Sequence, residues 1–151
     1  MAAHGQALKL IALDREGLGV ISAHVQNTCV KRADMAFMPK QRRFVVVGMR
    51  YDWVGAKTGP KERVESVLSF DRVLKVSHLG LKGTDDNATL NLLAVRFERT
   101  DPPAGVIFLA FAHGALIRLE VECVEVRLSD MAVRIPAEAC PGHALTDSSA
   151  V

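Results

Sequence analysis

Apolar positions along the chain follow two different periods, and the change between them comes near residue 29. Residues 8–13 form a short apolar stretch that reads as a strand or extended arm. Asp14 then suits a helix N-cap and Glu16 the first turn, while Leu13 and Leu18 stand at the N′ and N4 spacing of a hydrophobic staple. Leu18, Ile21 and Val25 recur at helical intervals, which predicts an amphipathic helix of about 12 residues. Gly17 and Gly19 each cost such a helix about 0.8–1 kcal/mol relative to alanine. The helix therefore depends on tertiary packing, and one of its glycines is expected to mark close approach to a neighbouring backbone.

From residue 29 onward the period is close to two. Residues 29–38 and 42–53 read as antiparallel strands joined at Met38-Pro39-Lys40-Gln41, where Pro39 fits the second position of a type I turn. In the second strand Val45, Val47, Met49, Tyr51 and Trp53 share one face and Phe44 and Val46 the other, so its first half is expected to be covered on both sides. A polar loop follows, then strands at 64–70 and 73–79, a turn-rich connection through Gly80, Gly83, Asp85, Asp86 and Asn87, and a strand at 90–98. Pro102-Pro103 forces a loop, because adjacent prolines lack the amide donors of a central strand. Residues 106–112 and 115–121 flank His113-Gly114 as a tight hairpin.

Residues 122–131 fit two templates. Val121, Val124, Leu128 and Met131 match a helical stripe, while Val124, Val126 and Leu128 against Glu125 and Arg127 match a strand. A short C-terminal helix is favoured, since a strand would have to change phase after Val121. Residues 136–151 are small and polar without period and read as a flexible tail. The expected fold is therefore α+β and mostly antiparallel β, a bent sheet or partly open barrel of about seven strands. An N-terminal and a short C-terminal helix accompany it, within one globular domain over residues 8–135. In its order of elements this is similar to the pleckstrin-homology-like roll.

Composition agrees with one soluble domain: 151 residues, 49% hydrophobic, 24% charged and a net charge of +2. A chain of this length buries roughly 70% of its unfolded surface without staples. Aromatics are only 5%, so aliphatic side chains must fill the core. The charge is uneven. Residues 31–75 hold eleven basic and five acidic side chains, and residues 76–151 hold six and ten. Such blocks can form an anion-binding face or two surfaces that attract each other within the fold or between subunits, but surface charge is usually only solvated, and that reading is preferred. Cys29, Cys123 and Cys140 are odd in number and lack a C-x-x-C pair, so a disulfide framework is not expected. The N-terminal apolar stretch is too short for a signal peptide, and the seven-residue run 106–112 is far below the about 20 residues of a membrane span. The expected location is the cytoplasm, with reduced thiols.

Candidate chemistry is sparse. His4, His24, His78, His113 and His143 show no i, i+3 or i, i+4 spacing, and Cys140-Pro-Gly-His143 offers at most two ligands, so no metal or cofactor is expected. There is no G-x-S-x-G and no phosphate-binding glycine loop, and the carboxylates Asp85-Asp86 in a turn-rich loop and Glu120, Glu122 and Glu125 on an exposed face give no clearer lead, so the reading leans away from an enzyme and assigns no catalytic residue. The most pointed feature is a basic hairpin tip, Lys40, Arg42 and Arg43, joined by Arg50. These four are the candidate contacts for an anion or an acidic partner. Nucleic acid is not expected, because the nearby aromatics Phe37, Phe44, Tyr51 and Trp53 lie mostly in core-like phase.

Several segments resemble a family of short uncharacterised bacterial proteins, a domain of unknown function found mainly in alphaproteobacteria. They are LKLIALDREGLGVISAHVQ, DMAFMPKQRRFVVVGMRYDW, FDRVLKV, LNLLAVRFE and GVIFLAFAHGALIRLEVECVEVRLSDM, spanning roughly residues 8–131. The resemblance implies a stand-alone cytoplasmic protein and supplies no catalytic residues. The expected function is a non-enzymatic protein- or peptide-interaction module, self-associating as a homodimer or larger homo-oligomer. The alternatives are a small-ligand or anion-binding protein, or an enzyme with an unrecognised site.

Overall fold

Asp14 caps the first helix. In the computed structural model, which describes residues 7–81 and 86–140, its carboxylate accepts a hydrogen bond from the Gly17 amide at 2.7 Å. The helix α1 (Arg15–Val25) buries Leu18, Ile21 and Val25, the residues that the period selects. Gly17 is the glycine at a close approach, since a Cβ there would stand 3.2 Å from the Cα of Ala12. Gly19 has nothing within 4 Å.

Among the described residues nine strands form: β1 (Lys9–Ala12), β2 (Thr28–Met38), β3 (Arg43–Tyr51), β4 (Glu62–Phe70), β5 (Val73–Leu79), β6 (Thr89–Arg99), β7 (Gly105–Phe111), β8 (Leu116–Val121) and β9 (Val126–Pro136). They form one antiparallel sheet in the order β1-β9-β4-β3-β2-β6-β7-β8-β5, which is not closed. Two strands exceed the expected seven, because the N-terminal arm pairs as β1 (Ile11 opposite Arg127) and the expected C-terminal helix is instead β9. The physical reason is the break at residues 122–125 between β8 and β9, which resets the phase that a continuous strand would have carried past Val121. In place of the expected C-terminal helix, β9 pairs along β4, Phe70 opposite Val126 through Glu62 opposite Pro136.

Both halves of the sheet and α1 share one apolar cluster, which includes Phe44, Val46, Leu68 and Phe70 from one half and Ile107, Leu109, Ile117 and Leu119 from the other. α1 packs mainly against β6, where Ser22 Oγ accepts the Val95 amide at 2.9 Å. Far from α1 along β3, a corner joins the halves. The Val73 amide donates to the Arg42 carbonyl at 2.8 Å, the Asp71 amide to Glu125 and the Glu122 amide to Arg72, both at 2.9 Å.

Cys29 and Cys140 are joined in a disulfide across 111 residues with a Cα–Cα distance of 6.4 Å, contrary to the expectation of reduced thiols. Spacing could not reveal the pair, because β9 is what carries the chain back to the start of β2. Arg63 fastens the two ends there, donating to the Asn27 carbonyl at 2.6 Å and the Ala137 carbonyl at 2.9 Å. Residues 136–140 of the expected tail therefore lie against the sheet, and 141–151 are outside the described residues. Cys123 is free. No helix among the described residues is long and apolar enough to cross a membrane.

A candidate anion-binding cleft

Pro39 starts a short 3-10 turn, Pro39–Gln41, and Arg42 ends it in the left-handed region at φ 52° and ψ 44°, its amide bonded to the Pro39 carbonyl. Arg72 adopts φ 63° at the corner between β4 and β5. A bulky non-glycine residue at positive φ costs on the order of 1–3 kcal/mol, and such residues concentrate at functional sites. Of the four among the described residues, two are arginines flanking the same recess.

That recess, of about 240 Å³, is lined by Gln41, Arg42, Arg43, Asp71, Arg72, Glu125 and Arg127. Arg127 reaches it from β9, where Val126 and Leu128 point inward and Arg127 outward. Asp71, with a side chain only 10% exposed, holds two of the guanidiniums: Arg43 Nε at 2.7 Å and Arg127 Nη1 at 3.3 Å. Glu125 takes Arg72 Nε at 3.4 Å and lies 3.7 Å from Arg127 Nη2. Glu122 takes Arg42 Nη1 at 2.9 Å. The basic middle block and the acidic final block of the chain thus meet across this corner. All four arginine side chains remain between 44% and 58% exposed, so their outer nitrogens face solvent.

The expected site is therefore brought together only in part. Arg42 and Arg43 line the cleft, and Lys40 is exposed on the adjacent turn without lining it. Arg50 is elsewhere. It points inward beneath the sheet, 1% exposed, with Nε and Nη2 donating to the two carboxylate oxygens of Asp130 at 3.0 and 2.8 Å. Ser66 Oγ at 2.7 Å and the Leu8 amide at 2.9 Å complete the shell around Asp130. Burial alone would raise the Asp130 carboxyl, but the hydrogen bonds from Arg50, Leu8 and Ser66 hold it below the usual carboxylate range.

Beside this network sits His24, whose Nδ1 is buried without a hydrogen-bond partner among the described residues. Burial and then the Arg50 charge push its imidazole below the ordinary value, against the pull of Asp130 and Asp52. The void at Arg50 and Ser66 is only about 10 Å³, so the cluster is structural and admits no substrate.

Sequence reasoning missed Asp71, Arg72, Glu125 and Arg127. Their one local signal is Arg72 in the two-residue turn Asp71-Arg72 between apolar strands, since arginine, unlike aspartate, is not a usual turn residue. His78 lies on a second cavity of about 380 Å³ with Met35, Phe44, Val76 and Ile117, and His113 is in the β7–β8 turn at φ 66°. His4 and His143 are outside the described residues. Among the described residues no three His, Cys, Asp or Glu side chains are grouped to hold a metal ion.

No curated protein and no solved structure matches the chain. A family model described as a protein of unknown function, DUF2948, matches residues 8–143, and the chain belongs to that family.

Proposed function

We propose that the protein is a non-enzymatic interaction module that receives an acidic segment of a partner protein in the arginine cleft. The observation that carries this reading is the convergence of four arginines from three separate parts of the chain on one recess, each tethered by a carboxylate but still half-exposed. Tethering reduces the side-chain entropy lost on binding, and donors left facing solvent are those a ligand meets first. The lining is arginine, acid and one glutamine, groups that recognise charge and hydrogen-bond acceptors. The mixed charge of the corner suits a segment of a protein rather than a long polyanion, because Asp71, Glu122 and Glu125 repel uninterrupted negative charge.

Fluorescence anisotropy with a dye-labelled peptide of alternating glutamate and glycine tests this. Saturable binding is expected, weakening as salt rises from roughly 0.02 to 0.2 M. The variant Arg42→Glu/Arg72→Glu, at two half-exposed positions, should bind at least about tenfold more weakly, a loss of about 1.4 kcal/mol. Equal affinity in wild type and variant would overturn the proposal.

A further inference from the structure

We infer that the acidic group received by the cleft is a phosphorylated serine or threonine of the partner segment, an inference that rests on the partner-binding reading above. A carboxylate is planar and is recognised best side-on, by Nε and one Nη of a single guanidinium. In Arg43 and Arg72 that side is already used, because Nε donates to Asp71 and to Glu125 respectively. Arg127 presents both Nη groups to Asp71 and Glu125, and Arg42 spends Nη1 on Glu122, so that of the four only Arg42 keeps its side-on edge of Nε and Nη2. What remains are Nε and Nη2 of Arg42, both Nη groups of Arg43 and of Arg72, and Nε of Arg127.

One carboxylate can take the side-on edge of Arg42 but leaves the donors of the other three arginines unmet, whereas the three acceptor oxygens of a phosphoryl group point in different directions and can take donors from several residues at once. The phosphomonoester also carries about −1.5 to −2 charges near pH 7, against −1 for a carboxylate. The cleft lining contains no apolar side chain to insert among acyl chains, which favours a soluble phosphopeptide over a lipid surface.

The test is an NMR titration of the ¹⁵N-labelled full chain, reading the arginine Nε–Hε signals and the backbone amides of Arg43, Asp71, Arg72 and Val73. The probes are a pentapeptide with one central phosphoserine between alanines and glycines, the same peptide with glutamate or serine at the centre, and inorganic phosphate. The phosphoserine peptide should shift these signals and saturate at least about fivefold below the glutamate peptide, with no shift from the serine peptide. Its affinity should fall as pH drops through the second phosphate ionisation near about 6.

Arg42→Gln and Arg72→Gln, both at exposed positions, should each weaken it severalfold. If the glutamate peptide binds as tightly as the phosphoserine peptide, the phosphate assignment fails while the acidic-partner reading stands. If neither binds, both fail. Tighter binding of inorganic phosphate than of the phosphopeptide, or stronger capture by vesicles bearing phosphoinositides, overturns the assignment to a protein segment.

Discussion

Replacing Arg50 with methionine removes the cation from a pair whose side chains are 1% and 0% exposed. Asp130 would keep only two of its four hydrogen bonds, those from Ser66 and the Leu8 amide, and would be left charged beneath the sheet. Breaking a buried pair from one side costs about 3–5 kcal/mol. For a chain of this size that lowers the melting temperature by roughly 6–20 °C. The companion variant Arg50→Met/Asp130→Leu removes both charges and should recover most of the loss. The unrecovered part is about 1–3 kcal/mol for the Leu8 amide left without its acceptor.

Urea unfolding of wild type, both single variants and the double variant gives the coupling energy directly, provided the slope with denaturant is unchanged. A single variant within about 1 kcal/mol of wild type, or additive single losses, would refute the buried pair. Arg50→Met should also leave acidic-peptide affinity unchanged at temperatures where it is folded. A loss there would return Arg50 to the binding surface and contradict its placement.

Acidification should destabilise the fold in two stages. His24 is held neutral below its ordinary value, so the unfolded chain takes up a proton first and stability declines as pH falls below about 6.5. The Asp130 carboxyl is also depressed, so its contribution is complete above about 3.9 and disappears as pH falls through its lower folded value. Melting temperatures across a pH series should show both declines, with the upper one flattened in His24→Gln. The Cys29–Cys140 bridge closes a loop of 111 residues, for which the chain-entropy limit is about 4.7 kcal/mol, so Cys140→Ser should lower the urea midpoint and wild type should show the same loss on reduction. Gly19→Ala, with open space around it, should stabilise by about 0.5–1 kcal/mol. Gly17→Ala should gain less or lose, because its Cβ would press on the Ala12 backbone, and thermal melts of the two variants compare them directly.

Local chemistry that acts over a few residues was legible in the chain: the Asp14 cap, the Leu18, Ile21 and Val25 stripe, and the alternation of most strands. β9 was not, because the bend at 122–125 shifts the phase and leaves helical and extended spacings equally well matched. That same misreading hid the partner of Arg50. Once β9 is a strand, Phe44, Val46 and Arg50 on β3, Val64, Ser66 and Leu68 on β4, and Val126, Leu128 and Asp130 on β9 share the inward phase. An arginine, a serine and an aspartate in the core phase of three neighbouring strands is a readable sign of a buried polar cluster. Grouping Arg50 with the hairpin tip relied on closeness in sequence, whereas its alternation with Phe44 and Val46 already turned it inward. The cleft itself needs the corner that brings residues 42, 72 and 127 together, and no spacing within one segment encodes that meeting.

Charge reversal tests the arginine cleft most directly, through a pair of labelled peptides of equal length, one rich in glutamate and one rich in lysine, titrated against wild type and Arg42→Glu/Arg72→Glu. Binding at the cleft predicts that wild type holds the glutamate peptide and that the variant loses it and gains the lysine peptide. An unchanged preference for the glutamate peptide in the variant would place the binding surface elsewhere.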